Sequence, residues 1–342
     1  MIVYILLGIS ILAPIYTYAV YPFVLRLFKP KSRETRDNYL PSTSVLIVED
    51  NEEICRSKVK NVRESNYQNL EDVVNISSQQ DPAVAIKDLK GEVVVVTDGS
   101  SLFLKDTISN VIQTLSSPMV GCVCGMVRKV PDENGKSRDG ANWKYENKIK
   151  VLESNTGCLS GANAAIYAFK KECVPKYIDK KINLDFYIPT AITEKGFDVL
   201  FAPDAVAYEE ERSEKDLFKI HIADGASGYR SVVRFWRLLL PRKGSFVFCS
   251  HRVMKWLVPI NMLILLLGCG ILAPHYSWAL VLFVVQLLFY VYVIAYYTFF
   301  TLRGKDMPGP IGKLSGFASY FVILNTAWFC GLFKAVSNVK RS

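Results

Sequence analysis

The sequence predicts an α/β domain with a mostly parallel sheet, attached to about four membrane-spanning helices. Hydrophobic residues fill 50% of the 342 positions and charged residues only 21%, with a mean hydropathy of +0.18, a balance that a purely soluble chain seldom shows. The apolar residues are concentrated at the two ends. Between them, short β-branched runs end in acidic or small-residue turns and lead into helical stretches, the pattern of parallel strands buried on both faces. The apolar content excludes a disordered chain and the length excludes a small disulfide scaffold. The eight cysteines are scattered without a CxxC pair, which points to reduced thiols. Three histidines are too few for a multi-histidine metal centre.

Residues 1–28 predict an N-terminal anchor. Met1 to Phe28 carries no charge until Arg26, and Lys29, Lys31, Arg33 and Arg36 follow. A cleavable signal peptide is the rival reading, but the run is too long and no small-residue cleavage site precedes the basic cluster. Pro14 and Pro22 are expected kinks that neighbouring helices can tolerate. Residues 256–336 predict three further spans, Trp256 to Pro274, Trp278 to Leu302 and Leu314 to Phe333. At 1.5 Å per residue each crosses a hydrocarbon core of about 30 Å. The link from Ala273 to Ser277 has no Lys or Arg, whereas Arg303 to Lys313 has three basic residues. The positive-inside rule then puts the latter link, the basic run after the anchor and the central segment in the cytosol, at a plasma or inner membrane. The tail, residues 337–342, carries Lys340 and Arg341 to the other side if all four segments span. Residues 243–255 mix Phe246, Phe248 and Val253 with His251, Arg252 and Lys255. They read equally as a helix in the headgroup plane or as the first turns of the next span. The net charge of +9 is in part topological and lipid-facing. No basic-aromatic interleaving points to nucleic acid, and no ionisable pair inside the apolar helices marks an ion path.

Residues 29–242 hold the α/β domain. Thr43 to Val48 is a continuous strand, followed by the acidic turn Glu49-Asp50-Asn51-Glu52-Glu53 and a helix to about Glu64. Leu70 to Ile76 is a second strand and Ala83 to Lys90 a short helix. Val93 to Val96 is a buried strand ending in Thr97-Asp98-Gly99-Ser100. Pro131 to Gly140 is a polar loop. In such sheets ligands bind at the carboxyl ends of the strands, which makes both acidic turns site candidates.

Each motif has a functional and a structural reading. Asp98 before Gly99 suits a hard cation on a diphosphate or simply a turn. Glu49, Asn51 and Glu52 suit nucleotide recognition or a helix N-terminus. Ser160 to Ala165, with Gly161, Ala162 and Asn163, admits a sugar or a packed helix. Asp185 before the helical stretch Ile188 to Lys195 suits a general base or an N-cap. Arg230, Arg234 and Trp236, with Arg237, Arg242 and Lys243, suit a phosphate clamp or a snorkelling interface helix.

Taken in order, these residues resemble the membrane-anchored inverting glycosyltransferases of family 2, which have the GT-A fold. Ser44 to Glu53 resembles the family's opening strand and Asn-Glu-Glu turn. Gly91 to Ser100 resembles its metal-binding Asp-x-Asp strand, and Ser160 to Asn163 with Ile166 to Ala168 its donor-sugar loop. Asp185-Phe186, Glu194 to Phe197 and Ala202 to Glu210 resemble the stretch whose acid is the catalytic base. Ser250 to Pro259 resembles the link into the membrane helices of bacterial exopolysaccharide members.

The resemblance implies a UDP-sugar or related nucleotide-sugar donor and Mg²⁺ or Mn²⁺ on Asp98 and Ser100. It also implies proton transfer to Asp185, and a membrane lipid or lipid-linked glycan as acceptor, with polysaccharide-assembly partners. The chain departs from the family pattern in three ways. Asp98-Gly99-Ser100 lacks the second carboxylate. The stretch from Tyr67 to Gly91 is short by one βα unit, with Asn75 to Ser78 near the place of a missing Asp-Gly-Ser strand end. The Gln-x-x-Arg-Trp motif is only approximated by Arg230, Arg234 and Trp236. These departures motivate a second reading, a catalytically impaired relative that serves as a membrane scaffold or partner subunit.

Overall fold

The computed structural model describes residues 2–36, 38–131, 140–210, 214–303, 307 and 309–337. Most of the expected polar loop from Pro131 to Gly140, part of the Arg303 to Lys313 link, and Lys340 and Arg341 lie outside the described residues. The chain divides into a unit made of Met1–Phe23, Arg212–Val232 and Ser250–Ser342, and a unit made of Val24–Glu211 and Val233–Cys249.

The second unit is built on a seven-stranded sheet. Its elements are β1 (Thr43–Val48), α1 (Glu52–Arg63), β2 (Leu70–Ile76), α2 (Pro82–Asp88), β3 (Val93–Asp98), β4 (Ser101–Phe103), α3 (Thr107–Thr114), β5 (Val120–Lys129), α4 (Ala141–Thr156), β6 (Tyr167–Lys170), α5 (Leu184–Glu194) and β7 (Asp198–Glu209). The strand order is β2-β1-β3-β6-β5-β7-β4. β2 and β3 flank β1 in parallel, and β5 pairs with β7 in parallel. β6 runs against both β3 and β5, and β4 runs against β7. Thus β1, β2, β3, β5 and β7 point one way, the mostly parallel sheet expected from the continuous apolar runs. The reversed strands are short, and Tyr167 and Ala168, expected in a loop, open β6. Among the described residues, β1 and β2 are the strands that precede β3.

Continuous strands form because both faces are covered. Val45, Ile47, Val93 and Val95 join Ile108, Val111 and Ile112 of α3 in one core, while the alternate residues Leu46, Val94 and Val96 are buried on the other face. The helices start where the turns can cap them. The Asn51 carboxamide accepts from the Glu53 and Ile54 amides at 2.9 and 3.2 Å. Asp81 accepts from the Ala83 amide at 2.9 Å, with Pro82 in the first helical position. Each such cap contributes about 0.5–2 kcal/mol.

The first unit is helical. Among the described residues, four helices lying wholly or mostly in this unit are long and apolar enough to cross a membrane: Val3–Leu25, Ser245–Leu272, Ser277–Arg303 and Gly309–Ser337. In the first, a π-turn at Tyr16–Val20, closed by the Tyr21 amide on the Tyr16 carbonyl, lies between Pro14 and Pro22. Proline removes a helix amide and crowds the preceding turn, so the register shifts where kinks were expected. Ser245 to Val253, read from sequence as interfacial or spanning, runs into Met254–Leu272 without a break.

Small residues seat the tryptophans. A side chain on Gly228 would strike the Trp256 ring, and Trp256 stands 4.8 Å from Trp328, ring centre to ring centre. Gly225 and Gly331 bring the helix Glu214–Arg234 against Gly309–Ser337.

One glycine in the sheet unit is fixed by backbone proximity. A Cβ on Gly91 would meet the backbone of Thr43 and Ser44, and the Gly91 amide donates to Ser44 Oγ at 2.8 Å. Gly91→Ala is expected to destabilise the domain by about 1–3 kcal/mol, the usual cost of overpacking, read as a lower midpoint in thermal unfolding.

Candidate functional site

The site is assembled at the carboxyl edge of the sheet. β1 and β3 are neighbours with Val48 opposite Asp98, so the turns after both strands emerge together. Asp98 is the first residue of β3 that is not buried. Its Oδ1 accepts from the Ser101 amide at 3.0 Å, which folds Gly99 and Ser100 into a tight turn. A Cβ on Gly99 would collide with the Glu49 side chain. Glu49 therefore lies over that turn, with Oε1 accepting from the Asn51 amide at 2.9 Å.

Asp50, Asn51 and Glu52 have structural partners. Asn51 caps α1, as its structural reading expects. Asp50 accepts from the Ser78 amide and hydroxyl at 2.8 and 2.7 Å, and these bonds hold its carboxyl below the usual range. Glu52 pairs with Arg56 one turn on, both exposed, a contact of little energetic weight. The Asn75 carboxamide donates to the Glu49 carbonyl at 3.1 Å, so the Asn75 to Ser78 segment packs on this turn.

The small-residue segment from Ser160 to Ile166 links the other pieces. The Asp98 amide donates to the Ala164 carbonyl at 3.0 Å, and the Ala162 amide donates to the Asp185 carbonyl at 2.8 Å. Asn163, between them, donates to the Gly125 carbonyl at 3.0 Å and accepts from Lys150 of α4. Two residues of extended chain span at most about 7 Å, so Asp98 and Asp185 flank one short loop, with Gly161 and Ala162 buried within it. Asp185 stands in the first turn of α5 and is half-buried. The cap reading of Asp185 does not hold. The cap position belongs to Asn183, whose side chain makes no capping bond. The Cys124 thiol and the Tyr167 phenol are pushed up chiefly by burial, with the Asp185 charge adding to it.

Arg234 also bears on α5. Its guanidinium lies 5.8 Å from the Tyr187 ring centre, and the Tyr187 hydroxyl is fixed on the Tyr177 carbonyl at 3.0 Å. Trp236 is 54% exposed, with Arg237 6.0 Å from its ring centre. Arg230 belongs to the helical unit, where it donates to the Lys334 carbonyl at 3.0 Å near a helix C-terminus, a favourable place for a cation. The basic-aromatic belt read as one group is thus divided between the two units.

Sequence reasoning missed two lysines. Lys150 reaches Asn163 from a helix with no clear apolar face. Lys58 is 1% exposed and lies directly under the Asp98 turn. Its ammonium donates to the Ser101 carbonyl and hydroxyl at 2.7 and 3.1 Å and sits 3.4 Å from the Phe103 ring centre. Burial pushes its pKa down to about 7, against the pull of Asp98. The one available signal was its spacing, four residues before Val62, the other residue of α1 that is buried.

Chemically, this edge offers hard oxygen donors on Asp98, Ser100 and Glu49. Among the described residues no three His, Cys, Asp or Glu side chains gather to enclose a cation. The donor set fits an ion held by one or two carboxylates and completed by substrate phosphates, the usual mode for Mg²⁺.

No family model and no curated protein matches the chain. Among solved structures, the fold is similar to that of the mannosyltransferase PcManGT from Pyrobaculum calidifontis, solved with GDP-Man and Mn²⁺. The TM-score is 0.69 over 97% of this chain and 99% of that one, at 15% identity. GalNAc-T7, solved with UDP, GalNAc and Mn²⁺, aligns over 54% of this chain and 47% of that one with a TM-score of 0.38 at 14% identity. The first match shows a GT-A-like α/β fold for the sheet unit.

The buried lysine has a measurable signature. Lys58 carries a depressed folded pKa, so between about pH 7 and 10.5 the unfolded chain binds the extra proton. Its burial cost is full below that window and is relieved as pH rises through it. Wild type is therefore expected to gain stability relative to Lys58→Met between pH 7 and pH 10 in paired thermal unfolding.

Proposed function

We propose that the chain transfers a sugar from a nucleotide-diphospho-sugar to a membrane-associated acceptor, with inversion. The observation that supports this most directly is that Asp98 and Asp185 flank one loop at the carboxyl edge of a GT-A-like sheet. An acceptor hydroxyl would attack the anomeric carbon while Asp185 takes its proton, and the nucleoside diphosphate would depart from the opposite face. Glu49 would contact the nucleoside, with Asn51 and Glu52 shaping the turn beside it. Gly161 and Ala162 leave room for the sugar, and Asn163 offers its carboxamide, oriented by Lys150. Asp98 and Ser100, with the donor phosphates, would hold Mg²⁺ or Mn²⁺, which offsets charge on the leaving diphosphate. Arg234 and Trp236, and Arg230 from the helical unit, would serve phosphate or lipid contacts.

A UDP-sugar follows from the family resemblance. The structural neighbour was solved with GDP-Man, so GDP-mannose belongs beside the UDP-sugars as a candidate donor. The four long apolar helices support an acceptor presented at the membrane, as a lipid-linked sugar or growing glycan in polysaccharide synthesis. They also support an integral membrane location, and the positive-inside reading of the basic segments puts the sheet unit in the cytosol. The missing second carboxylate in Asp98-Gly99-Ser100 favours the alternative, an inactive relative acting as a scaffold or partner subunit.

The purified chain in detergent, given Mn²⁺, a panel of UDP- and GDP-sugars and a membrane-extracted acceptor, is expected to release nucleotide. Asp185→Asn should lower that release by about 10²- to 10⁴-fold, the range for a general base, while donor binding by calorimetry is retained. No release from folded wild type with any donor would leave only the scaffold reading. Gly99→Ala, which pushes on Glu49, is expected to raise the KM for the donor more than it lowers kcat.

A further inference from the structure

The sheet unit has a second concave site, on the edge opposite the proposed donor site. Asp198 opens β7 and lies beside Val120, the first residue of β5. Both strands run parallel to β3, so this is the amino edge, whereas Asp98 stands at the carboxyl edge. A cavity of about 510 Å³ opens here, lined by Lys31, Arg33, Glu34, Met119, Asp198 and Lys243 among others. A volume of that order accommodates a small organic group.

The charges around the cavity are organised. Asp198 is bracketed by Arg33, Nε to Oδ2 at 2.7 Å, and by Lys243, Nζ to Oδ1 at 2.6 Å. Burial alone would raise the Asp198 pKa, but the hydrogen bonds from Lys243 and Arg33 outweigh it and hold the carboxyl below its usual range. Asp198 is thus a fixed anion that orients two cations. It does not satisfy both, because Arg33 Nη2 is buried and has no hydrogen-bond partner. Lys31 is exposed on the same wall. Lys243 is held in place from behind: it also donates to the Gly196 carbonyl at 2.6 Å. Gly244, which follows it, has φ +83° and packs so closely on Thr193 that a Cβ would collide. Three cations face two carboxylates, and an arginine donor remains unmatched.

The position of these cations in the chain suggests what they meet. Lys31 and Arg33 follow the candidate span that ends at Leu25, and Lys243 stands two residues before the candidate span that begins at Ser245. Phe28 and Phe246, ring centres 5.5 Å apart, tie the two flanking segments together inside the sheet unit. Cations next to membrane spans meet phosphate at high local concentration, and guanidinium and ammonium groups are suited to it.

We infer that this cavity is a phosphate-binding pocket, filled by the headgroup of an anionic membrane lipid and separate from the sugar-transfer site. The inference does not depend on the transfer reaction.

The test uses the full chain in a neutral detergent. Short-chain phosphatidylglycerol, short-chain phosphatidylcholine and inorganic phosphate are titrated separately and binding is read by calorimetry. Two variants probe the cavity, Lys31→Glu on its exposed wall and Met119→Glu, whose side chain is 57% exposed. Neither change should alter the thermal midpoint. Phosphatidylglycerol is expected to bind more tightly than phosphatidylcholine, and the double variant to weaken it about tenfold or more, at roughly 1 kcal/mol per basic residue near a membrane surface. Inorganic phosphate that binds as tightly, with the same sensitivity to the variants, would keep the pocket and overturn the lipid as its occupant. Binding of neither anion, or binding indifferent to both variants, would overturn the pocket itself.

Discussion

Two backbone hydrogen bonds to one loop hold the candidate site together, from Asp98 to Ala164 and from Ala162 to Asp185. Main-chain groups make both of these bonds. The loop can sit this close only because its residues are small, and Asn163 anchors it from the middle on Gly125 of β5. Strands β3 and β5 and helix α5 thus converge on residues 162–164. The site inherits the rigidity of the sheet, which a loop free at both ends would lack. Strand β3 adds the complementary constraint. Val93 to Val96 are buried, so Asp98 lies at the point where the chain emerges from the core.

The turn after Asp98 is supported from beneath by an unusual group. A buried ammonium costs stability unless it is hydrogen-bonded, and Lys58 recovers part of that cost through Ser101 and the Phe103 ring. A hydrophobic residue there would pack as well but would leave the Ser101 hydroxyl and carbonyl with fewer partners. The lysine also places positive charge behind a turn that already presents the Asp98 and Glu49 carboxylates. The same low dielectric that depresses the lysine also strengthens its attraction to Asp98.

The legible parts of the sequence were those in which burial acts on both sides of a strand or along one face of a helix. β1 and β3 fall where continuous apolar runs put them, β2 is a half-buried edge strand at the expected place, and Asp98 and Asp185 stand at element ends. The reversed strands β4 and β6 were not legible, because three or four residues carry no period and their direction is set by neighbours far along the chain. The acidic turn after β1 was ambiguous in principle. Glu49, Asp50, Asn51 and Glu52 have similar chemistry, and only register decides that Asn51 caps while Glu49 covers Gly99. Lys58 and Lys150 act through long side chains whose targets, Ser101 and Asn163, are remote in sequence. Arg230 and Arg234 are one helical turn apart, so spacing grouped them, yet the unit boundary falls between them.

The two edges of the sheet unit receive segments that are far apart in the sequence. The chain passes from one unit to the other after Phe23, after Glu211, after Val232 and after Cys249. Within the sheet unit, the segments around Arg33 and Lys243 meet at Asp198 on the amino edge, whereas β7 runs out at Glu209, opposite Ser101 at the carboxyl edge. The amino edge thus gathers basic side chains around one carboxylate, whereas the carboxyl edge presents Asp98 and Asp185 on either side of one loop. A bare phosphate and a metal-bound diphosphate would therefore be drawn to opposite ends of the same sheet.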